Sequence, residues 1–512
     1  MIALLRTLFS KLGFSKLGFS NLGFSELGLS QLGRLRGLIA ALLLLPLLAA
    51  CATAPGTGRT IFTGGLSEEG EAEMGREQHP KVVAEYGGAY ADPELNRYVT
   101  SVGNFLAKTS ERPDLDYTFT ILDTPIVNAF ALPGGYVYVT RGLLALANSE
   151  AELAGVLGHE IGHVTARHTA ERYGQTVAAN VAGVGLGVLL GGEAAQASSA
   201  VGALVLRSYS RDQEFESDLL GGRYLARAGY DTAGMADFLK QLQAHSRLEA
   251  ELAGQPEKAD AFNIMQTHPR TADRIERALA QSGVQPVDEP LVARNLYFSK
   301  IDGMIYGDKA DEGYIRGRTF AHPKLKFAFE VPEGFRLYNQ PQAVIARDGE
   351  GKAVIQFDRA PKPYDGPMTD YLTRVWGAEV NLGGVEALSI NGMAAATGTL
   401  SGNGRDYRLL AVRYDSRSIY RFIFLSASDR TAALNRPFRE TTYSFRKLSN
   451  AEAAALKPRR IRIYQAQASD TASRIAARMP FGSENLQRFL VLNGLGRNAT
   501  LQAGQKVKIV VE

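Results

Sequence analysis

The pentapeptide His159-Glu160-Ile161-Gly162-His163 limits what this chain can become more than any other stretch of it. It lies inside residues 149–170, SEAELAGVLGHEIGHVTARHTA, where Leu153, Val156, Leu157, Ile161 and Val164 recur at helical spacing. That pattern predicts an amphipathic helix. Helical positions four apart project from one face, so both imidazoles can grip one metal ion. Glu160 then points beside the metal toward a water. Catalytic zinc takes three protein ligands and keeps a fourth position open. One cysteine in 512 residues rules out an internal disulfide and a cysteine-based zinc site.

A second helical stretch, residues 209–231, reads YSRDQEFESDLLGGRYLARAGYD. Glu214 and Asp218 are four apart and share a face. Glu214 is the expected third ligand, and Asp218 the carboxylate that orients a ligand histidine. Glu216, on another face, is the competing ligand. His168 lies five residues past His163, off the ligand face, and reads as structural. His79, His245 and His322 show no partner pattern. In such a site Glu160 acts as general base and returns its proton to the leaving amine. The oxyanion needs a second donor, for which His268, Tyr209 and Arg211 are candidates.

Four motifs follow one another: NAFALPGGYVYVTRGLL (128–144), GHEIGHVTARH (158–168), YSRDQEFESD (209–218) and THPRTADRI (267–275). Together they resemble the membrane-associated zinc metallopeptidases of peptidase family forty-eight, over roughly residues 66–280. The resemblance implies a mainly helical, zincin-type α+β protease domain with one Zn2+ per chain. It implies that the first glutamate of E-x-x-x-D, here Glu214, binds the zinc. It ranks His268, in the T-H-P motif, first among the oxyanion donors. In some family members a histidine of this region also blocks the open zinc position.

Thr118–Asp123 and Tyr136–Thr140 alternate β-branched and aromatic residues and predict strands. Pro133-Gly134-Gly135 is the turn into the second. An edge strand binds an extended peptide by adding it to the sheet. On that reading Gly135, Tyr136, Val137 and Tyr138 contact substrate, a role the resemblance favours over a plain hairpin.

The N-terminus reads as an address. Residues 11–30 repeat a KLGFS-like pentapeptide four times, a low-complexity extension. Arg34 and Arg36, the apolar run Leu38 to Leu48, and Ala49-Ala50-Cys51 form a secretory signal. The run falls short of the about 20 residues that span a bilayer. Leu48-Ala49-Ala50-Cys51 resembles a bacterial lipobox, which implies that residues 1–51 hold a signal peptide and that Cys51 is acylated. Ala52 then favours the outer membrane, with the protein facing the periplasm. Residues 52–65, rich in Gly, Thr and Pro, predict a flexible tether. Within 176–206, the glycine-broken run Val181 to Leu190 is too short to span a membrane, and reads as part of a packed helical hairpin or a lid.

Downstream, residues 281–318 read as a connector and 319–450 as a β-rich α+β accessory domain. Residues 461–512 read strand, helix, helix, strand and resemble a LysM module, although Ser469 replaces the glycine usual before Asp470. That resemblance implies a βααβ unit and peptidoglycan as a partner. The net charge of +4, with no basic stripe, gives no reason to expect nucleic acid. The whole predicts a multidomain, lipid-anchored zinc endopeptidase acting on extended or misfolded envelope proteins. The alternatives are a non-catalytic assembly lipoprotein and a cell-wall-binding lipoprotein.

Overall fold

The computed structural model describes residues 50–190, 208–261, 288–340 and 342–512, with side chains left out for 180–190, 258 and 260–261. The signal segment, residues 191–206 and His268 lie outside them. A hairpin of β1 (Cys51–Thr53) and β2 (Thr60–Phe62) comes first, then α1 (Glu68–Glu85) and α2 (Pro93–Ala107). Strands β3 (Thr118–Leu122), β4 (Ala129–Leu132) and β5 (Tyr136–Thr140) follow. The helices α3 (Arg141–Leu146), α4 (Glu150–Thr165), α5 (His168–Leu190), α6 (Arg211–Arg227), α7 (Ala233–Leu252) and α8 (Arg294–Ile301) complete the first unit.

Side-chain caps start the two central helices. The Ser149 hydroxyl accepts the Glu152 N–H at the head of α4, and Ser210 and Gln213 form a reciprocal capping box on α6. The expected amphipathic helix is corrected: every residue of α4 is buried. It is packed by α2, α6, α7 and β4, so its polar residues face protein rather than water. Glycines allow that closeness. A Cβ on Gly162 would stand 3.0 Å from the Ser217 carbonyl oxygen, and one on Gly155 would stand 2.8 Å from Cα of Met235. The helix also stops at Thr165 rather than running to residue 170. Arg167 adopts the left-handed region, at φ 55°, and α5 restarts at His168.

The three strands pair in the order β3-β5-β4, with β5 parallel to β3 and antiparallel to β4. Tyr136–Thr140 is therefore the central strand, and its expected role as a free edge is corrected. Its backbone is bonded on both sides; the outer strands are β3 and β4, and β3 is bridged on its far side between Leu122 and Ala89.

Residues 52–65 are not a flexible tether. Ala54, Ile61 and Thr63 are buried. The Gly56 N–H donates to the Thr165 carbonyl at 3.1 Å, and Gly64 lies against Gly174 and Val177 of α5. Glycine, threonine and proline serve a tight, packed hairpin here. The expected connector is likewise part of the core, because Tyr297, Phe298 and Ile301 of α8 are fully buried.

The second unit is β-rich. After β6 (Ile305–Tyr306), the strands β7 (Tyr314–Arg316), β8 (Thr319–His322) and β9 (Phe327–Glu330) join β17 (Arg446–Lys447) in the order β17-β9-β8-β7. A seven-stranded antiparallel sheet runs β10-β11-β12-β16-β15-β14-β13. Its strands are β10 (Phe335–Asn339), β11 (Val344–Asp348), β12 (Ala353–Arg359), β13 (Gly383–Ile390), β14 (Met393–Gly402), β15 (Arg405–Asp415) and β16 (Ser418–Ala427). Phe327, Phe329, Phe357, Phe422 and Phe424 alternate inward and form its core beside α9 (Thr431–Ser444).

The short α10 (Asn450–Ala455) leads to β18 (Arg459–Gln465), α11 (Ala472–Ala476), α12 (Asn485–Asn493) and β19 (Lys506–Val511). The expected strand–helix–helix–strand order is present, but this unit does not stand alone. β18 pairs with β6 as well as β19. Ile461, Ile475, Phe489 and Val510 share one hydrophobic core with α2, α4 and α8. The buried Lys508 Nζ lies 2.7, 3.0 and 2.7 Å from the carbonyl oxygens of Ala145, Leu146 and Ala147. Those are the carbonyls at the end of α3, which a helix leaves unpaired. No helix among the described residues is long and apolar enough to cross a membrane.

Candidate active site

Helices α4 and α6 bring His159, His163 and Glu214 together, with one donor atom of each within 4.8 Å of the others. The two imidazole Nε2 atoms lie 3.0 Å apart. Glu214 Oε2 is 3.8 Å from His159 Nε2, and Oε1 is 3.4 Å from His163 Nε2. All three side chains are buried. Spacing of four along each helix produces this: His159 and His163 share a face of α4, and Glu214 shares a face of α6 with Asp218.

The opposite nitrogens are occupied. Asp218 Oδ1 lies 2.8 Å from His159 Nδ1. A carboxylate there holds the proton on Nδ1 and leaves the Nε2 lone pair to ligate. Burial pushes His163 well below the usual imidazole range, which favours its neutral form. Two imidazole nitrogens and a carboxylate oxygen gathered around one buried point suit zinc with an open fourth position. Glu160, the residue after His159, is fully buried on the same helix.

Glu216 is not in this group. Its carboxylate takes the Thr57 hydroxyl at 2.5 Å, lies 3.2 Å from Arg59, and sits 3.3 Å from His168 Nε2. The hydrogen bonds from His168 and Thr57, with the charge of Arg59, outweigh burial and hold its carboxyl at about 2. His168 is the residue that sequence reasoning missed. Its Nδ1 lies 2.8 Å from His163 Nδ1 and 3.4 Å from the Ser217 hydroxyl. The break at Arg167 returns it toward His163, which a continuous helix would not do.

Tyr209 stacks on His163, with ring centroids 3.7 Å apart at 18°. The Arg172 guanidinium lies 3.8 Å from the Tyr209 ring centroid. Arg211 is exposed at the start of α6. Cys51 is exposed at the head of the hairpin.

Of the expected substrate residues, Gly135 lies in the turn at φ 88°, and Tyr136, Val137 and Tyr138 lie inside the sheet. The Tyr138 hydroxyl is 2.7 Å from His79 Nδ1. Strand β4 instead offers the edge. The Thr140 N–H bonds the Asn128 carbonyl, so the ladder turns Phe130 and Leu132 inward and leaves the backbone groups of Ala129 and Ala131 on the outer side. Ala131 to Gly134 line a narrow cleft with His163, Arg167 and Tyr209.

Residues 93–282 match the model of Peptidase family M48. The beta-barrel assembly-enhancing protease of Yersinia pestis is 31% identical over 236 residues, which are 44% of this chain and 46% of that protein. The mitochondrial metalloendopeptidase OMA1 of Schizosaccharomyces pombe is 31% identical over 218 residues, 41% of this chain and 61% of that protein. The chain thus spans about half the length of these relatives. Of solved structures, cyanobacterial PsbP from Synechocystis matches 26% of this chain and 94% of its own, at 19% identity and a TM-score of 0.22.

Proposed function

We propose, from the match of residues 93–282 to the model of peptidase family M48, that the protein is a zinc-dependent endopeptidase of the bacterial envelope. Its substrates on this reading are extended or misfolded segments of envelope proteins. The observation that carries the proposal is the buried convergence of His159, His163 and Glu214 beside Glu160. These three residues would hold the zinc, which when bound polarises a carbonyl and acidifies water.

The chain supplies the rest. A substrate strand adds to β4 through the outward backbone groups of Ala129 and Ala131, which reads little side-chain sequence. Glu160 takes a proton from water and passes it to the departing amine. Tyr209, stacked on His163, holds that ring in place. Lipid on the exposed Cys51 would keep the enzyme at the membrane surface.

Purified protein is expected to carry one zinc and to cleave an unstructured protein such as casein. Glu160→Gln should keep the zinc and lose about a hundred- to ten-thousand-fold in rate. Full cleavage by this variant, or a wild type without zinc, would rule the reading out.

A further inference from the structure

A ligating imidazole works only if its second nitrogen is held, because that bond decides which nitrogen carries the proton. Asp218 does this for His159. For His163 the holder is another imidazole. His168 can accept the His163 Nδ1–H only if its own proton sits on Nε2. A carboxylate is placed to keep it there: Glu216 Oε2 faces His168 Nε2 at 3.3 Å. The Ser217 hydroxyl, 3.4 Å from His168 Nδ1, is a second donor to the same lone pair.

Glu216 is itself fixed from outside the two metal-bearing helices. The Thr57 hydroxyl donates to Oε1 at 2.5 Å, and Arg59 lies 3.2 Å from Oε2. Arg59 also pairs with Glu171 at 2.7 Å, which ties it to α5. Both residues stand in the loop joining β1 and β2, upstream of residues 93–282 that match the family.

We propose that this hairpin is a working part of the metal centre. Thr57 and Arg59 fix Glu216; Glu216 keeps the His168 proton on Nε2; His168 then accepts from His163 Nδ1 and frees the His163 Nε2 lone pair. His168 and Glu216 are positioning residues, and the chain of bonds runs from His163 to the loop between β1 and β2. The inference rests on the zinc site proposed above.

The test is zinc affinity of the full chain, measured by competition with a chelator, alongside thermal unfolding of the metal-free forms. His168→Leu and Glu216→Ala should weaken zinc binding by about 10- to 100-fold, and Thr57→Val/Arg59→Gln by about fivefold, with metal-free unfolding close to wild type. His168→Asn, whose amide oxygen can take the Nδ1 position, should stay within about threefold of wild type. If His168→Leu fails to fold, Glu216→Ala and the double variant decide. Wild-type affinity in both would overturn this proposal and leave the zinc site standing. A wild type that binds no zinc would overturn both.

Discussion

Asp218 Oδ1 and His159 Nδ1 lie 2.8 Å apart, with Asp218 one turn beyond Glu214 on α6. One face of one helix therefore supplies a ligand and the clamp on a ligand from the other helix. Asp218→Ala should lower zinc affinity by about 10- to 100-fold while the two-helix packing survives. Chelator competition reads this directly, and an unchanged affinity would reduce Asp218 to a packing residue.

The edge of β4 leads to a separate expectation. Proline at position 131 removes an outward N–H without breaking the ladder to β5, because residues 130 and 132 make those bonds. Ala131→Pro should raise KM for an extended peptide about tenfold, the equivalent of one lost hydrogen bond, and leave zinc content unchanged. Steady-state kinetics on a short peptide would show it. Unaltered KM would move the substrate away from this edge.

The Lys508 Nζ reaches three carbonyls at the end of α3. Lys508→Met leaves the Ala145 and Ala147 carbonyls without this donor, Leu146 keeping the Asn148 amide, and should destabilise the chain by about 3 kcal/mol. Urea unfolding measures that loss. Deleting everything after residue 450 should abolish soluble protease rather than trim off a free module. An active, folded deletion product would refute the shared core.

Glu249 on α7 joins all three units: it pairs with Arg336 of the β-rich unit and Arg488 of α12 at 2.9 and 3.0 Å. Burial works against its charge, but Arg488, His245 and Arg336 prevail and hold the carboxyl below its ordinary value of 4.5. A carboxyl depressed by folding gives stability that is full above its unfolded range and is lost as pH falls through the folded value. Unfolding temperature should therefore drop more steeply between about pH 6 and about pH 3 in wild type than in Glu249→Gln. Parallel curves would remove Glu249 from the acid response.

What the sequence made legible was local. His159, His163, Glu214 and Asp218 each rest on a spacing of four within one helix, and helical geometry alone puts such residues on a common face. His168 rests on a break in the helix at Arg167, a residue with no composition signal for a left-handed turn. The strand order failed because pairing partners of β5 lie on both sides in space, and alternation within one strand does not reveal how many neighbours it has. Residues 52–65 misled because glycine and threonine suit a loose linker and a tight hairpin equally; packing against Thr165 and Gly174 decides between them. The fusion of residues 461–512 to the first unit hangs on contacts hundreds of positions apart, such as Lys508 with Ala145.

That fusion sets a timetable. The helix holding His159 and His163 shares its core with the strand Lys506–Val511. A growing chain can assemble the ligands early, but the carbonyls ending α3 gain the Lys508 side chain only once residue 508 has emerged. Synthesis order thus works as a safety catch: a copy made only as far as residue 505 lacks part of the core behind the two histidines, and on the proposed reading protease competence waits for residues 506–511.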